Sequence, residues 1–361
     1  NQAFKTFSMT SKQERLALLE RIKTVTEARF EDLAQAMREE MGAPITFARE
    51  AQADAAIGHL QGFADALEQL EEEIDLGNGE LLVREPIGVC GLITPWNWPI
   101  NQIALKVLPA LAAGCTCVLK PSEHTPLSAI IYAEILHDAG CPPGVFNLVN
   151  GEGPEVGTAM SKHPDIQMMS FTGSTRAGTA VTHDSAESVK RVTLELGGKS
   201  ANLVFADSDL EERVQNAVAE CMANTGQSCD APTRLLVERS CYDEVVEIAR
   251  QATIATRVGD PTEEGNHIGP LFDRIQFDRV QTLIGVGIDE HQQRVAISRR
   301  FGNNVRTQNA TSARFVVHNY WLAQGFAKML CCQARNHICH TTSRVGYNQT
   351  DRSVRPILSR S

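Results

Sequence analysis

Residues 88–99 read GVCGLITPWNWP, an apolar run that passes into a polar loop bounded by prolines. Further short apolar runs follow at 115–119, 145–149, 166–171 and 192–196. Helical patterns lie between some of them, such as Ile103 to Ala113 and Pro126 to Ala139. Continuous apolar strands that alternate with helices are typical of a parallel sheet covered by helices on both faces. The sequence therefore predicts an α/β fold with a doubly wound sheet, whose ligands gather at the carboxyl ends of the strands.

The segments before this sheet predict helices and a hairpin. Ser11 to Glu14 forms a capping-box pattern ahead of an apolar stripe, so a helix should begin near Lys12 and end around Gly42. A second helix should run toward Leu70. The turn-prone Gly77-Asn78-Gly79 separates two short apolar runs and predicts a hairpin within about residues 70–85.

The chain after residue 196 begins a second α/β pattern. A helix should begin near Leu210, a strand should cover Arg234 to Glu238, and Ser240 to Asp243 should cap another helix. From His291 onward the charge changes sign, because the tail carries +10 and the preceding residues carry −20. We therefore expect that residues 291–361, an atypical basic tail, do not form the native remainder of this unit. The Cys and His residues of the tail match no standard zinc spacing.

Composition narrows the class of partner. At 361 residues the chain is long enough for two domains. Its net charge of −10 argues against a nucleic-acid surface, because phosphate binding requires a clustered excess of Lys and Arg. Polar residues and prolines interrupt the longest apolar stretch, and no charged-then-apolar leader opens the chain, so neither a membrane span nor a secretory signal is predicted. The ten cysteines do not suggest a disulfide framework, and we expect a cytoplasmic protein with a small-molecule partner.

Two motifs contain residue types that are suited to covalent catalysis. Cys229 ends the loop NTGQSC at 224–229, and Glu195 lies beside a glycine pair in LELGGK at 194–199. A thiol in a tight polar loop can act as a nucleophile, and a carboxylate can activate water. Together with FTGS at 171–174, TPWNWP at 94–99 and KPSE at 120–123, these motifs resemble the aldehyde dehydrogenase superfamily.

This resemblance implies a fold and a reaction. The fold would be aldehyde dehydrogenase-like, with a Rossmann-like cofactor domain and an incomplete α/β catalytic domain. Cys229 would attack the carbonyl carbon, and the side-chain amide of Asn97 and the backbone N–H of Cys229 would hold the oxyanion. Glu195 would act as the general base that activates water against the thioester. The implied reaction is the NAD-dependent oxidation of a small-molecule aldehyde to a carboxylic acid.

The resemblance also implies an NAD site at the strand ends. Lys120 would donate to the adenosine ribose and Glu123 would accept from it, and this carboxylate would repel the 2′-phosphate of NADP. The turn at Gly173 and Ser174 opens a helix whose N-terminal amides would receive pyrophosphate. Glycines elsewhere would let the dinucleotide approach the backbone closely. The remaining cofactor-binding candidates are Trp96, Gly153, Gly157, Phe171 and Leu196, and no metal ligand is predicted.

The domain boundaries follow from the same resemblance. Residues 1–196 would form the dinucleotide-binding domain, whose hairpin joins a neighbouring subunit of a homo-oligomer, and residues 197–290 would form part of the catalytic domain. The Glu-x-Phe-Gly-Pro segment of the family is not found after about residue 290. Two alternatives therefore stay open. One is an NAD-binding pseudoenzyme or structural relative, and the other is an acyl-transferring dehydrogenase, which the presence of Glu195 disfavours.

Overall fold

The computed structural model describes residues 1–286, which are arranged around a five-stranded parallel sheet. The order of its strands is β5-β4-β3-β6-β7. All five predicted strands are present, and their bounds differ from the apolar runs by only one or two residues. They are β3 (Val89–Ile93), β4 (Thr116–Lys120), β5 (Phe146–Leu148), β6 (Met168–Gly173) and β7 (Arg191–Leu196).

The sheet is doubly wound, as the sequence predicts. The chain first builds outward from β3 through β4 to β5, and then returns to β6 and β7 on the other side of β3. The topological switch point therefore lies between β3 and β6. In the register of the sheet, Ile93 lies beside Lys120 on one side and beside Phe171 on the other. The loops that follow these strands consequently emerge at one edge, where such folds bind their ligands.

Helices cover both faces of the sheet. Side chains of successive strand residues point to opposite faces, so each strand packs against helices on both sides. Cys90 and Leu92 belong to a large apolar cluster with helices on one face, whereas Val89 and Ile93 belong to a second cluster on the other face. The helices up to the end of this sheet are α1 (Phe4–Phe7), α2 (Lys12–Ala28), α3 (Phe30–Met41), α4 (Ile45–Phe47), α5 (Asp54–Gln69), α6 (Pro99–Ala112), α7 (Pro126–Asp138), α8 (Thr158–Lys162) and α9 (Thr175–Ser185).

The predicted helix between residues 12 and 42 is divided into two. Its start is as predicted, since Ser11 and Glu14 form the complete capping box, and Gly42 ends α3 in the left-handed conformation with φ 73°. The chain turns at Arg29, which pairs with Asp32 and Glu134. The division has a packing reason, because α2 packs mainly on α5 whereas α3 packs mainly on the π-helical segment Ala48–Ala53 and on α7.

The predicted hairpin is present and exposed. Strand β1 (Glu73–Asp75) pairs with β2 (Leu81–Val83) in antiparallel register. Gly77 and Gly79, in the connecting turn, have φ values of 80° and 86° that glycine tolerates without strain. Large apolar side chains of the hairpin remain exposed, namely Leu76, Leu81, Leu82 and Val83.

A second, smaller α/β unit follows the sheet. Strand β8 (Ala201–Val204) pairs in parallel with β9 (Arg234–Val237), and α10 (Leu210–Met222) and α11 (Tyr242–Ala255) complete it around a separate apolar cluster. The predicted cap of α11 is wrong. A short 3-10 turn, Arg239–Cys241, precedes the helix, and Ser240 Oγ instead donates to Glu238 Oε1 at 2.6 Å.

The described part of the chain ends with helical residues 274–286. Within it, none of the helices combines the length and the apolar character that crossing a bilayer would require. The predictions for residues 291–361, including the unusual Cys and His cluster, lie outside the described residues.

Candidate active site

The loop after β3 is hydrogen-bonded to the turn that precedes Cys229. Asn97 Nδ2 donates to the backbone carbonyl of Gln227 at 2.7 Å, and Trp98 Nε1 donates to Ser228 Oγ at 2.8 Å. The two acceptors are the residues immediately before Cys229, so the structure brings together the predicted oxyanion donor and the predicted nucleophile. Cys229 is a free, half-buried thiol that solvent can reach.

The turn itself has an unusual backbone. Asn224, Thr225 and Gly226 adopt successive positive φ values of 52°, 59° and 71°. This conformation is ordinary for glycine and tolerated by asparagine, but it is strained for a β-branched residue. Two side-chain bonds secure the turn, since Thr225 Oγ1 donates to the Gly269 carbonyl at 3.1 Å and Gln227 Nε2 donates to the Asn224 carbonyl at 3.0 Å. The fold thus maintains a strained turn next to Cys229, as functional sites often do.

Glu195 lies at the carboxyl end of β7, beside Thr172 in the register of the sheet, and its side chain is exposed. The glycine pair that follows meets the turn that contains Cys229. The N–H of Gly198 donates to the Cys229 carbonyl at 3.2 Å. The carboxylate-bearing strand end is therefore bonded directly to the backbone of Cys229.

Lys106, on α6, is a buried cation that sequence reasoning did not identify as part of the site. Its Nζ donates to Ser170 Oγ at 2.9 Å, and its side chain is almost fully buried. Burial lowers the pKa of Lys106 to about 8, against an opposing attraction from Glu195. The available signal was that Lys106 is the one charged residue of this helix. Its amine places a titratable group beside the end of β7.

The two residues of the predicted ribose motif are paired with each other. Lys120 is fully buried, and its Nζ donates to Glu123 Oε2 at 2.8 Å and to the Pro121 carbonyl at 3.0 Å. Partial burial opposes ionisation of Glu123, but the Lys120 ammonium outweighs it and lowers the pKa of Glu123. The pair thus presents a fixed carboxylate at the end of β4.

Helix α7, which follows this motif, is capped by a residue from another helix. The N-cap residue Thr125 makes no side-chain cap bond. Instead Glu40, near the end of α3, accepts from the N–H of Leu127 at 2.7 Å and from the N–H and hydroxyl of Ser128. Partial burial raises the pKa of Glu40 to about 7, although these donors oppose the shift. Ionisation of this carboxyl therefore disfavours the folded state.

Glu40 is expected to make stability depend on pH. Its pKa in the folded protein is above the ordinary 4.5, so its contribution to stability is complete below about pH 4.5 and is lost as the pH rises through 7. Between pH 5.5 and 8.5, the free energy of unfolding of the wild type should fall by about 1–2 kcal/mol more than that of Glu40→Gln, after allowance for partial exposure. Thermal unfolding of both proteins across this range measures the difference. Parallel curves for the two proteins would show that Glu40 does not titrate there.

The turn that was predicted to bind pyrophosphate lies at the end of β6. Ser174 caps α9 by accepting from the N–H of Ala177 at 3.3 Å. Position 173 favours glycine, because a Cβ there would lie 2.6 Å from the ring of Phe171. Phe171 is itself buried in the core, and Leu196 is half-buried in the same apolar cluster. These two side chains therefore belong to the apolar core next to this turn.

The other cofactor candidates lie around the same edge. Gly153 and Gly157 bound a π-helical turn, and a side chain at Gly153 would meet open space, whereas one at Gly157 would lie 3.5 Å from Ile93 Cδ1. Trp96 stacks on Phe272 with the ring centroids 4.6 Å apart. Phe272 was not identified from the sequence, because its partner lies far away in the chain. No group of three or more potential metal ligands occurs among residues 1–286.

Comparisons with known proteins agree with this geometry. Residues 1–313 match the sequence model of the aldehyde dehydrogenase family. The 3-succinoylsemialdehyde-pyridine dehydrogenase of a Pseudomonas species is 52% identical over 290 residues, which are 80% of this chain and 61% of that relative. The chain thus spans about three fifths of the length of the curated relatives it matches.

Solved structures give the same result. An aldehyde dehydrogenase from Bartonella henselae superimposes with a TM-score of 0.78 and 49% identity, covering 80% of this chain and 61% of that one. A variant of aldehyde dehydrogenase C from Pseudomonas syringae, in complex with NAD+ and octanal, has a TM-score of 0.78 and 51% identity, with coverage of 80% and 59%. These matches confirm the resemblance that the motifs indicated. The chain belongs to the aldehyde dehydrogenase family.

Proposed function

We propose that this protein oxidises an aldehyde to a carboxylic acid through a thioester on Cys229, with NAD as the hydride acceptor. The observation that supports this most is the set of bonds around Cys229. The loop that contains Asn97 is bonded to the residues just before the thiol, and the strand end that contains Glu195 is bonded to the Cys229 carbonyl. These bonds support the proposal, because they join the segments of the proposed oxyanion donor and the proposed base to the backbone around the proposed nucleophile.

The three residues have distinct roles in the proposed reaction. The Cys229 thiol loses its proton to solvent, the thiolate sulfur forms a bond to the carbonyl carbon, and the carbonyl π electrons move to the oxygen. Asn97 donates to that oxygen, because its amide has two hydrogens and the bond to Gln227 uses one of them. Such a donor is typically worth roughly 3 kcal/mol. After the carbon loses a hydride, Glu195 takes a proton from water, the water oxygen bonds to the carbon, and the C–S bond breaks to release the acid.

The residues at the strand ends fit a dinucleotide. The Lys120–Glu123 pair offers a donor and an acceptor at the end of β4, the amides of α9 open beside Ser174, and Gly153 leaves space for a close approach. When bound, NAD supplies a two-electron hydride acceptor. Related structures were solved with NAD+, including PnpE and an aldehyde dehydrogenase from Bacillus cereus. We infer that Trp96, Gly157, Phe171, Gly173 and Leu196 belong to or support the same site.

Glu123 is expected to determine the preference for NAD over NADP. A carboxylate that Lys120 keeps ionised would repel a 2′-phosphate. Glu123→Gln should therefore lower the ratio of kcat/KM with NAD to kcat/KM with NADP by about tenfold. Steady-state kinetics with both cofactors measures this ratio. The control is Glu20→Gln, which removes an exposed carboxylate from α2 and should leave the ratio unchanged. Equal kcat/KM values for NAD and NADP in the wild type would contradict this prediction and indicate that Glu123 does not face the ribose.

We further infer that residues 1–196 and 197–290 are the cofactor domain and part of the catalytic domain, and that the exposed hairpin mediates homo-oligomer formation. The separate apolar cluster of the second unit supports the division, and the exposed leucines of the hairpin support an interface. We also infer a cytoplasmic protein, because the seven cysteines of residues 1–286 are free, as expected in a reducing compartment.

Absorbance of NADH against a panel of aliphatic, aromatic and semialdehyde substrates tests the proposed function. We expect NADH to form with at least one class of aldehyde. The alternative that the sequence leaves open is an NAD-binding protein without turnover. Calorimetric binding of NAD without NADH formation from any aldehyde would support that alternative and contradict the proposed reaction.

A further inference from the structure

We propose that Gln52 and Asn224 are positioning residues that hold the peptide carbonyl of Asn97 and thereby orient its side-chain amide toward the oxyanion. This inference rests on the proposed function and adds two residues to it. Gln52 lies in a π-helical segment, Ala48–Ala53, and Asn224 begins the strained turn before Cys229. Neither residue contacts the reacting atoms in the proposed reaction.

Both side chains donate to the same oxygen. The Asn97 carbonyl accepts from Asn224 Nδ2 at 2.7 Å and from Gln52 Nε2 at 3.2 Å. A carbonyl oxygen has two lone pairs, so these donors fill its accepting capacity. Gln52 Nε2 also lies 3.3 Å from Asn224 Oδ1, which links the two amides. The resulting triangle is buried, since Gln52 and Asn224 are 0% and 5% exposed.

Asn97 is therefore held at both its main chain and its side chain. The carbonyl is fixed by Gln52 and Asn224, and the amide is fixed by the Gln227 carbonyl at 2.7 Å. With both ends fixed, the direction of the second amide hydrogen is determined before substrate arrives. Donors that need no reorganisation during the reaction stabilise an oxyanion best, and a misplacement of about 1 Å can cost roughly 100-fold in rate.

The arrangement lowers stability, which indicates that it serves another purpose. Gln52 Oε1 is buried and has no hydrogen-bond partner among the described residues, a condition that lowers the stability of the folded state. The π-helical segment around Gln52 is of a kind found frequently at functional sites. A methionine of similar length would fill the space of Gln52 without an orphan oxygen. Violations of local preference are expected where a site requires them.

The variant Gln52→Met tests the role of the donor. It keeps the length of the side chain and removes the N–H bonds to Asn97. We expect kcat for aldehyde oxidation to fall roughly 10- to 100-fold while the Kd for NAD stays unchanged. Hydrolysis of p-nitrophenyl acetate should fall by the same factor, because an activated ester needs the nucleophile and the oxyanion donor but no cofactor. The melting temperature should change little, because the variant removes the orphan Oε1 of Gln52 while Asn224 Oδ1 loses its donor, whereas a purely structural role would lower it.

Two further variants complete the design. Asn224→Gly keeps the left-handed backbone and removes the other donor, so it should lower both rates in the same way. Met41→Leu is the matched control, because Met41 Sδ is the third acceptor near Gln52 Nε2, at 3.4 Å, and this bond does not involve Asn97. Both rates should be unchanged in this control. An equal loss in Met41→Leu would overturn the assignment and indicate general disruption of the core.

Amide hydrogen exchange separates this inference from the proposed function. In Gln52→Met we expect faster exchange at residues 94–98 and 224–229, and unchanged exchange in α9. If the wild type oxidises aldehydes and Gln52→Met keeps both its rates and its exchange pattern, the positioning role is wrong and the proposed function stands. If the wild type neither oxidises aldehydes nor hydrolyses the ester, the proposed function fails. The exchange result then decides alone whether Gln52 holds the Asn97 loop.

Discussion

Cys229→Ala is expected to reduce aldehyde oxidation by about 10,000-fold or more, because losing the nucleophile of a covalent mechanism removes the whole reaction path. Binding of NAD should change by less than about twofold, since the thiol has no part in the contacts at Lys120, Glu123 and Ser174. Absorbance at the NADH band gives the rate, and isothermal calorimetry gives the Kd. The structure supports this separation, because the ribose motif follows β4 whereas Cys229 lies in the second unit.

The matched control for this prediction is Cys221→Ala. Cys221 is another half-buried thiol, on α10 shortly before the same turn, and burial raises its pKa. Its replacement should leave the rate within about twofold of the wild type, since a surface-proximal change of this size usually has small effects. If Cys221→Ala lost activity and Cys229→Ala kept it, the nucleophile would be Cys221 and the assignment to Cys229 would be wrong.

Glu195→Gln should permit one turnover and then stop. In the proposed reaction the first half requires Cys229, Asn97 and NAD but not Glu195, so one equivalent of NADH per active site should form rapidly. Release of the acid requires a base for water, and its loss typically lowers the rate about 100- to 10,000-fold. Stopped-flow absorbance should therefore show a burst that matches the enzyme concentration, followed by a slow steady rate.

A second carboxylate on the same segment provides the control for the burst. Glu187 is exposed in the turn before β7, and Glu187→Gln should keep the steady rate of the wild type. If Glu195→Gln turned over at the full steady rate, another group would have to serve as the base. Lys106 would be the first residue to test in that case, because its amine is buried beside Ser170 and interacts with Glu195.

Much of the fold was predictable because local patterns determine it. The five strands of the sheet are short apolar runs, and parallel strands buried on both faces require such runs. The start of α2 was predictable from Ser11 and Glu14, whose side chains satisfy the helix terminus within four residues. The division at Arg29 was not, because it depends on α2 and α3 packing on different helices.

The site shows the same limit. The positions of Asn97 and Glu195 at one edge of the sheet follow from strand order, which the alternation of strands and helices indicates. Cys229 lies outside this sheet, between α10 and β9, so only the family resemblance placed it in the same site. The roles of Gln52 and Asn224 do not follow from strand order, because their bonds to Asn97 join residues 45 and 127 positions apart. Sequence patterns report neighbours within a few residues, and such distant contacts exist only after the chain has folded. The left-handed turn at Thr225 was equally hidden, since a β-branched residue is a poor candidate for that conformation.

Peptide mass spectrometry of Glu195→Gln tests the thioester on Cys229 most directly. The variant is incubated with NAD and an aldehyde that the wild type oxidises, and the reaction is then quenched with acid. The peptide that contains Cys229 should gain the mass of the aldehyde minus two hydrogens, because the sulfur replaces its proton and the carbon loses a hydride. The gain should require NAD and should disappear in Glu195→Gln combined with Cys229→Ala. NADH formation with no added mass on Cys229, or with the mass on another cysteine, would contradict the proposed mechanism.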